Sequence, residues 1–169
     1  MNPLTVKVGP LAYAQSDEPW IGNYRPYVYQ SQVYQAVQET LTGRETRCLF
    51  LVTPTGSGKT LASYAYTVNH HTPAFGVYPT NELICDQERA LKKWLDPVGN
   101  YQLLRIDSRQ LDHWQDALGK QQHATTFETL MNWQPTILTN PDILFYTFFG
   151  LYHGPEGLSQ RLFTLLGQY

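Results

Sequence analysis

Cysteine, charged residues and long apolar runs are all scarce in this 169-residue sequence. Its two cysteines, Cys48 and Cys85, are too few for a disulfide framework and lack zinc-site spacing, so we expect buried free thiols in a reducing compartment. A net charge of −2 excludes general attraction to nucleic acid or to anionic membranes. Any contact with a polynucleotide must therefore be local.

Membrane and export signals are also missing. No apolar run approaches the roughly 18 residues that a membrane span requires, and the N-terminus lacks the apolar segment of a signal peptide. The length suits one domain of ordinary size. We therefore expect a soluble, cytoplasmic protein with no membrane partner.

A glycine-rich turn between an apolar run and a helical segment is the strongest motif. Leu49–Val52 is apolar enough for a buried strand, and Leu61–Val68 is compatible with a helix. Between them, glycines allow backbone N–H groups to face phosphate oxygens, a lysine can reach the β- and γ-phosphates, and a threonine hydroxyl can bind the Mg²⁺ they hold. The candidate ATP-binding residues are Thr55, Gly56, Ser57, Gly58, Lys59 and Thr60.

Within this loop, Lys59 and Thr60 are the candidate catalytic residues, and Thr60 is the candidate Mg²⁺ ligand. The alternative is a plain turn with a surface lysine. Upstream, apolar residues recur at helical spacing over Ser31–Leu41. Gln30 opens that helix, where its amide could bind an adenine edge; the alternative is an exposed polar residue at a helix start.

Strands and helices alternate along the chain. Each short apolar run that predicts a strand is followed by a segment compatible with a helix. The predicted strands are Leu4–Val8, Leu49–Val52, Ala74–Tyr78, Tyr101–Asp107 and Pro135–Thr139. This pattern predicts an α/β fold, with a mostly parallel sheet covered by helices on both faces. We expect a strand and an irregular segment over residues 1–23, and one lobe over residues 24–169.

Two polar segments directly follow predicted strands. Pro79-Thr80-Asn81 precedes a predicted helix over Glu82–Trp94, and Thr139-Asn140-Pro141-Asp142 precedes one over Ile143–Tyr152. Taken alone, each segment is a helix start, with a capping side chain and, in the second, proline and an acid in the first turn. Because the carboxyl ends of parallel strands share one edge of a sheet, both segments are also binding candidates.

Together these segments resemble the motifs of superfamily 2 helicases, in family order. Thr55–Thr60 is similar to the phosphate loop of that superfamily, whose leading position is often Ala or Thr, as Thr53 is here. Arg25–Gln30 resembles the adenine-reading segment. The resemblance implies a RecA-like P-loop NTPase lobe that uses ATP and Mg²⁺ and binds single-stranded DNA. It implies backbone contacts to that strand at Pro79, Thr80, Asn81, Thr139, Asn140, Pro141 and Asp142.

The sequence is most similar to the CRISPR-associated helicase of type I systems, particularly the cyanobacterial-type subtype I-D branch. Tyr78–Leu83 and Leu138–Asp142 carry this similarity. It implies recruitment to a target-bound, RNA-guided surveillance complex, where ATP hydrolysis unwinds foreign DNA. Many relatives carry an N-terminal HD nuclease, but this chain has no His-Asp dipeptide. The resemblance therefore implies that the nuclease belongs to the large subunit of the complex.

An acidic pair at a strand end, which would hold Mg²⁺ and orient the attacking water, is not found. In the family it lies one helix and one strand beyond the Thr139–Asp142 segment, and this sequence ends at Tyr169. Asp107 ends an apolar run, but Ser108 occupies the place of the second carboxylate. We therefore expect the N-terminal part of a longer helicase, inactive alone. The alternatives are another superfamily 2 DNA translocase, a non-catalytic nucleotide-gated binding module and a small P-loop kinase.

Overall fold

The computed structural model describes residues 4–7, 24–43, 48–95, 99, 102–133, 136–149, 155–167 and 169. In chain order the elements are β1 (Leu4–Lys7), α1 (Val28–Thr42), β2 (Leu49–Val52), α2 (Lys59–His70), β3 (Ala74–Val77), α3 (Asn81–Leu95), β4 (Leu103–Ile106), α4 (Ser108–Ala117), α5 (His123–Asn132), β5 (Thr136–Thr139), α6 (Pro141–Phe148) and α7 (Leu158–Leu166). Every predicted strand is present. The predicted irregular segment falls, over residues 8–23, outside the described residues.

Every strand pairing in the described part of the chain is parallel, which confirms the predicted α/β fold. β1 pairs with β2, and β5 lies between β3 and β4 in a three-stranded sheet. Three parallel strands flanked by helices are consistent with a RecA-like lobe. Contacts divide the chain into two compact units, Met1–His71 with Lys93–Gly99 and Thr72–Lys92 with Asn100–Tyr169.

In the first unit, α1 packs against α2 and β1. Leu49 and Leu51 of β2 pack against the buried cluster formed there. Phe50 and Val52 alternate with them and are 52% and 69% exposed. The prediction that β2 is a buried strand is therefore wrong for one face, because successive side chains of a strand point to opposite sides. The buried cluster is Tyr29, Val33 and Ala62.

In the second unit, the position of a strand in the sheet decides its burial. All four residues of β5, the central strand, are buried. In β3, at the sheet edge, only Gly76 is buried and Val77 is 45% exposed. The prediction of a buried β3 is therefore wrong, since an edge strand has a neighbour on one side only.

The core of the second unit lies where α5 meets α4, α6 and α7. Phe127 of α5 is fully buried there, with its ring 6.3 Å from that of Phe75 on β3. Tyr169 covers the same strand, with its ring 4.4 Å from Phe75. Other buried members are Ile106, Leu111, Leu130, Met131, Ile137, Ile143 and Leu162. The segment after β4, which the sequence marks only as compatible with helices, therefore supplies much of this core.

The prediction of buried thiols is wrong. Cys48 is exposed, just before β2, and Cys85 is half-buried on α3. The Cys85 sulfur lies 3.1 Å from the Arg105 guanidinium and so has a polar neighbour. Among the described residues, no helix has the length and apolar character needed to cross a membrane.

Candidate functional site

The predicted phosphate loop joins β2 to α2, and two glycines set its shape. Gly56 and Gly58 have φ angles of 77° and 87°, in the left-handed region that side chains disfavour. A Cβ on Gly56 would meet no atom of the described residues within 4 Å, so none of them covers that side of the loop. A Cβ on Gly58 would lie 2.7 Å from the Gln30 amide nitrogen. Glycine at position 58 therefore allows α1 to approach the loop closely.

The lysine of the motif lies against the loop. Lys59 Nζ donates to the carbonyl oxygens of Thr53 and Pro54, at 3.0 and 2.7 Å. The Thr53 hydroxyl is 2.6 Å from the hydroxyl of Ser57, which is buried. A threonine at the first motif position thus ties the two ends of the turn together. The ammonium group is held by carbonyls that a more strongly charged phosphate could replace.

Gln30 is fully buried, so the alternative of an exposed polar residue at a helix start is wrong. Its Oε1 accepts from the Tyr27 backbone N–H at 2.8 Å, and its Nε2 donates to the Gly58 carbonyl at 3.1 Å. A glutamine amide has a second N–H and a second lone pair, so these bonds leave capacity for another ligand. Gln30 joins the start of α1 to the phosphate loop, and its adenine contact stays a prediction.

Tyr29, to which the sequence assigns no role, also reaches this loop. It is 3% exposed, and its hydroxyl donates to the Ser57 carbonyl at 2.5 Å. Its ring is stacked against that of Tyr27 at 6.2 Å. The only available signal was a hydroxyl-bearing aromatic residue directly before Gln30.

The two strand-end segments meet at one edge of the three-stranded sheet. Val77 and Ile106 are both in register with Thr139, so the three strands end level. Asn140 Nδ2 donates to Asn81 Oδ1 at 3.0 Å, which links the segment after β5 to the segment after β3. The sequence predicted that these segments share an edge, and the structure confirms it.

Several side chains of these segments cap their own helices. The Thr80 hydroxyl accepts from the Leu83 N–H at 3.3 Å, and Asn140 Oδ1 accepts from the Ile143 N–H at 2.9 Å. Pro141 and Asp142 occupy the first turn of α6, as predicted. Pro79, Thr80, Asn81, Pro141 and Asp142 are exposed. These capping bonds use the Thr80 and Asn140 acceptors, and they leave the exposed backbone, the Asn81–Asn140 amide pair and the Asp142 carboxylate accessible.

Thr139 is an exception, because it is completely buried. Its hydroxyl donates to the Ile106 carbonyl at 2.7 Å, across the end of the sheet. This hydrogen bond fixes the level of the strand ends on which the neighbouring segments depend. A role for Thr139 in binding nucleic acid stays a prediction.

Asp107 follows β4 at the same edge and has structural partners. Its Oδ1 accepts from the Gln110 N–H at 2.9 Å, which caps α4, and its Oδ2 lies 3.4 Å from Arg105 Nε. Arg105 also contacts Glu88 at 3.3 Å. In the described part of the chain no group of three or more His, Cys, Asp or Glu side chains could hold a metal.

A cleft of about 630 Å³ opens beside these strand ends. Arg109 lines it from the first turn of α4, and no described residue forms a hydrogen bond or ion pair with its guanidinium. A cation at the positive end of a helix is unfavourable by a few tenths of a kcal/mol unless an anion is near. The other residues that line the cleft are Asn81, Glu82, Cys85, Arg105, Asp107, Ser108 and Gln110. The sequence motifs assigned no role to Arg109, although a cation shortly after the fourth predicted strand was the available signal.

The residues of the loop fit the triphosphate of ATP. Left-handed glycines suit a phosphate chain, and so do a side at Gly56 that no described residue covers and an ammonium group that binds the Thr53 and Pro54 carbonyls. Thr60, half-buried in the first turn of α2, offers the side-chain hydroxyl for Mg²⁺. Mg²⁺ commonly binds through substrate phosphates, one or two protein oxygens and water. When bound, it would neutralise charge on the phosphates.

Residues 28–151 match the protein family described as DEAD/DEAH box helicase. The matched span is well over half of the chain and includes Gln30, the phosphate loop and both strand-end segments. No curated protein and no solved structure matches the chain.

Proposed function

The chain belongs to the DEAD/DEAH box helicase family, and we therefore propose that it binds ATP in the Thr55–Thr60 loop and couples the hydrolysis of ATP to movement along DNA. Membership supports an ATP-dependent helicase function with nucleic-acid binding. The observation that carries the ATP site is the loop itself, where two left-handed glycines shape a concave turn beside Lys59.

Single-stranded DNA would bind at the strand-end edge. Exposed helix starts after β3 and β5 offer backbone N–H groups to phosphates, which supports contact without a large positive charge. The cleft beside Asn81, with Arg109 on its wall, extends this surface. Such contacts position a strand without reading its sequence, which is what a translocating motor requires.

We assign the motor to CRISPR interference against foreign DNA. Tyr78–Leu83 and Leu138–Asp142, which carry the resemblance to subtype I-D helicases, lie on adjacent strands whose ends are linked by Asn81 and Asn140. The partners would be target-bound DNA and the RNA-guided surveillance complex of subtype I-D, including its nuclease-bearing large subunit. The helicase would act in the cytoplasm.

A second candidate function is a nucleotide-gated binding module without turnover. The observation that favours it is Asp107, whose strand-end carboxylate is committed to the α4 cap and to Arg105. Such a chain would bind ATP and change its affinity for a partner, but it would lack the carboxylate that orients the attacking water.

ATP binding and turnover by the 169-residue chain, with and without single-stranded DNA, test the ATP site. We expect binding in the presence of Mg²⁺, and we expect Lys59→Ala to weaken it by about 100-fold because a charged hydrogen-bond donor to phosphate is lost. Lys120→Ala, a change at an exposed lysine on another turn, is the matched control.

Turnover should remain at background under both conditions. Turnover that disappears in Lys59→Ala would contradict this expectation, would place a catalytic carboxylate within these residues and would exclude the non-catalytic module. No ATP binding by the unaltered chain would contradict the proposed site itself.

The CRISPR assignment needs a separate experiment. A reconstituted subtype I-D surveillance complex on matched target DNA should retain the chain, and the same complex on DNA without a target should not. Equal retention on both, or none on either, would contradict this assignment and leave the family function in place.

A further inference from the structure

Two consecutive carbonyl groups of the phosphate loop are held by neighbouring residues of α1. Tyr29 Oη donates to the Ser57 carbonyl, and Gln30 Nε2 donates to the Gly58 carbonyl. These carbonyls belong to the peptide that joins residues 57 and 58 and to the peptide that joins residues 58 and 59. α1 therefore holds the Ser57–Gly58 peptide from outside the loop, and it shares the Gly58 carbonyl with the Ala62 N–H of α2, which donates to the same oxygen at 3.1 Å.

Because each peptide is planar, the direction of its carbonyl also sets the direction of its N–H group. In a trans peptide the C=O and the following N–H point in opposite directions, and the described residues contain no cis peptide. The Ser57 carbonyl is directed at Tyr29, so the Gly58 N–H is directed away from α1. The Gly58 carbonyl accepts from Gln30 and from the Ala62 N–H, so the Lys59 N–H is directed away from both. Among the described residues, no hydrogen bond uses either N–H group. Two adjacent N–H groups on one side of a turn form an anion-binding concavity.

Tyr29 can fix the orientation of the Ser57–Gly58 peptide because its own ring is held in place by packing. The ring is 3% exposed and belongs to the buried cluster with Val33 and Ala62, where α1 and α2 meet. The Tyr27 ring stacks with it, and the two ring centroids are 6.2 Å apart. Packing of the ring therefore fixes the position of the hydroxyl, and the Ser57 carbonyl is oriented toward that hydroxyl. Glycine at position 58 permits the required left-handed backbone.

We propose that Tyr29 is a positioning residue for the phosphates of ATP: its hydroxyl orients the Ser57–Gly58 peptide so that the Gly58 N–H faces the phosphate chain. The inference rests on the proposed ATP site and adds a residue to it. Tyr29 touches neither phosphate nor adenine in this arrangement. Its contribution is to keep one donor aligned before the ligand arrives, which lowers the ordering cost of binding.

The test measures the affinity of the full chain for Mg²⁺–ATP, inorganic triphosphate and adenosine. Tyr29→Phe removes only the hydroxyl and should weaken ATP and triphosphate by the same factor, roughly three- to tenfold. The affinity for adenosine should not change. Tyr34→Phe, on the same helix, is the matched control because its hydroxyl bonds to His70 rather than to the loop. Its affinities should stay within about twofold of the unaltered chain.

An NMR measurement separates positioning from general loosening. On addition of triphosphate, the amide resonances of Gly58 and Lys59 should shift in the unaltered chain, and the Gly58 shift should be reduced in Tyr29→Phe. Unchanged affinity in Tyr29→Phe would overturn the inference. Equal weakening by Tyr34→Phe, or a loss that follows the unfolding midpoint alone, would overturn it too. If the unaltered chain bound neither phosphate ligand, the ATP site would fail first and the inference with it.

Discussion

In the phosphate loop, side chains of another helix hold the backbone, whereas at the strand ends the motif side chains hold their own helices. Tyr29 and Gln30 bind loop carbonyls from a distance of 28 residues along the chain. Thr80 and Asn140 cap helices that begin one residue later. The first arrangement leaves backbone donors available for a ligand. The second uses up side-chain acceptors, so a ligand there must bind exposed backbone or the remaining amide and guanidinium groups.

The same kinds of polar residue can therefore build a candidate binding site in two ways. The phosphate loop has no side-chain cap on α2, the helix that follows it, so its shape depends on packing against α1 and should be lost when that packing is disturbed. A segment that caps its helix is stable locally, and its ligand contacts can be changed without unfolding it.

Substitution of the two loop glycines should separate backbone strain from the approach of α1. Gly56→Ala should lower the free energy of unfolding by about 1–2 kcal/mol, because only the left-handed φ is penalised. Gly58→Ala adds a clash 2.7 Å from Gln30 Nε2 and should lower it by roughly 2–4 kcal/mol, with loss of ATP binding. Urea unfolding measures both.

The double variant Gly58→Ala with Gln30→Ala makes this comparison sharper. Removing the glutamine side chain removes the clash, so the double variant should be more stable than the sum of the two single changes predicts. If the Gly56 and Gly58 substitutions lowered the free energy of unfolding equally, the close approach of Gln30 to Gly58 would not contribute to the loss.

Two substitutions of Asn140 should separate capping from DNA binding. Asn140→Ala removes the cap of α6 and should lower the free energy of unfolding by about 1–2 kcal/mol. Asn140→Asp keeps a capping oxygen and adds a charge that suits the helix start, so stability should hold. It also loses the donor to Asn81 and repels phosphate.

Single-stranded DNA affinity, measured by fluorescence anisotropy, should therefore fall about three- to tenfold in Asn140→Asp. If this variant bound DNA as well as the unaltered chain does, the strand-end edge would not be the DNA surface.

Arg109 should contribute to DNA affinity but not to stability. Arg109→Ala removes an exposed cation from the cleft beside Asn81, and should lower the salt dependence of single-stranded DNA binding by about 0.7 in log–log slope. Arg89→Ala, on α3 and paired with Asp86, is the control and should leave the slope unchanged. A slope unchanged in Arg109→Ala would exclude the cleft from the DNA path.

Substitutions of Thr139 test whether this motif residue stabilises the sheet without contacting DNA. Thr139→Val removes the buried hydrogen bond to Ile106 and should lower the free energy of unfolding by about 1–2 kcal/mol. Thr139→Ser keeps the hydroxyl and serves as the comparison. A loss of DNA affinity in Thr139→Val without any loss of stability would show instead that the hydroxyl faces the DNA.

Tyr169 gives the smallest expected effect, and it depends on pH. Burial raises the pKa of its phenol above the ordinary value of about 10. A group whose pKa is higher in the folded state stabilises the fold below its unfolded pKa, and this contribution disappears as pH rises further. Between pH 8 and pH 11, the free energy of unfolding should therefore fall less steeply in Tyr169→Phe than in the unaltered chain. Parallel pH profiles for the two proteins would contradict this.

The order of strands and helices, the phosphate loop and the caps of α3 and α6 could all be predicted from the sequence. Each depends on neighbouring residues: alternation within a strand, glycines within one turn, or Asn140 followed by proline. Burial was predicted less well, because Phe50 and Val77 are exposed for reasons that depend on sheet position and on which face meets a helix. The thiols were also wrongly expected to be buried, since Cys48 just before β2 is exposed and Cys85 on α3 is half-buried.

The sequence alone therefore settles local features: a glycine-rich turn between a strand and a helix, and two helix starts after strands. Tertiary structure alone decided that Tyr29 and Gln30 grip Ser57 and Gly58, that Asn81 meets Asn140, and that Arg109 lines a cleft. These contacts join residues far apart in the chain. Their partners are chosen by helix packing and strand register, which short sequence patterns do not encode.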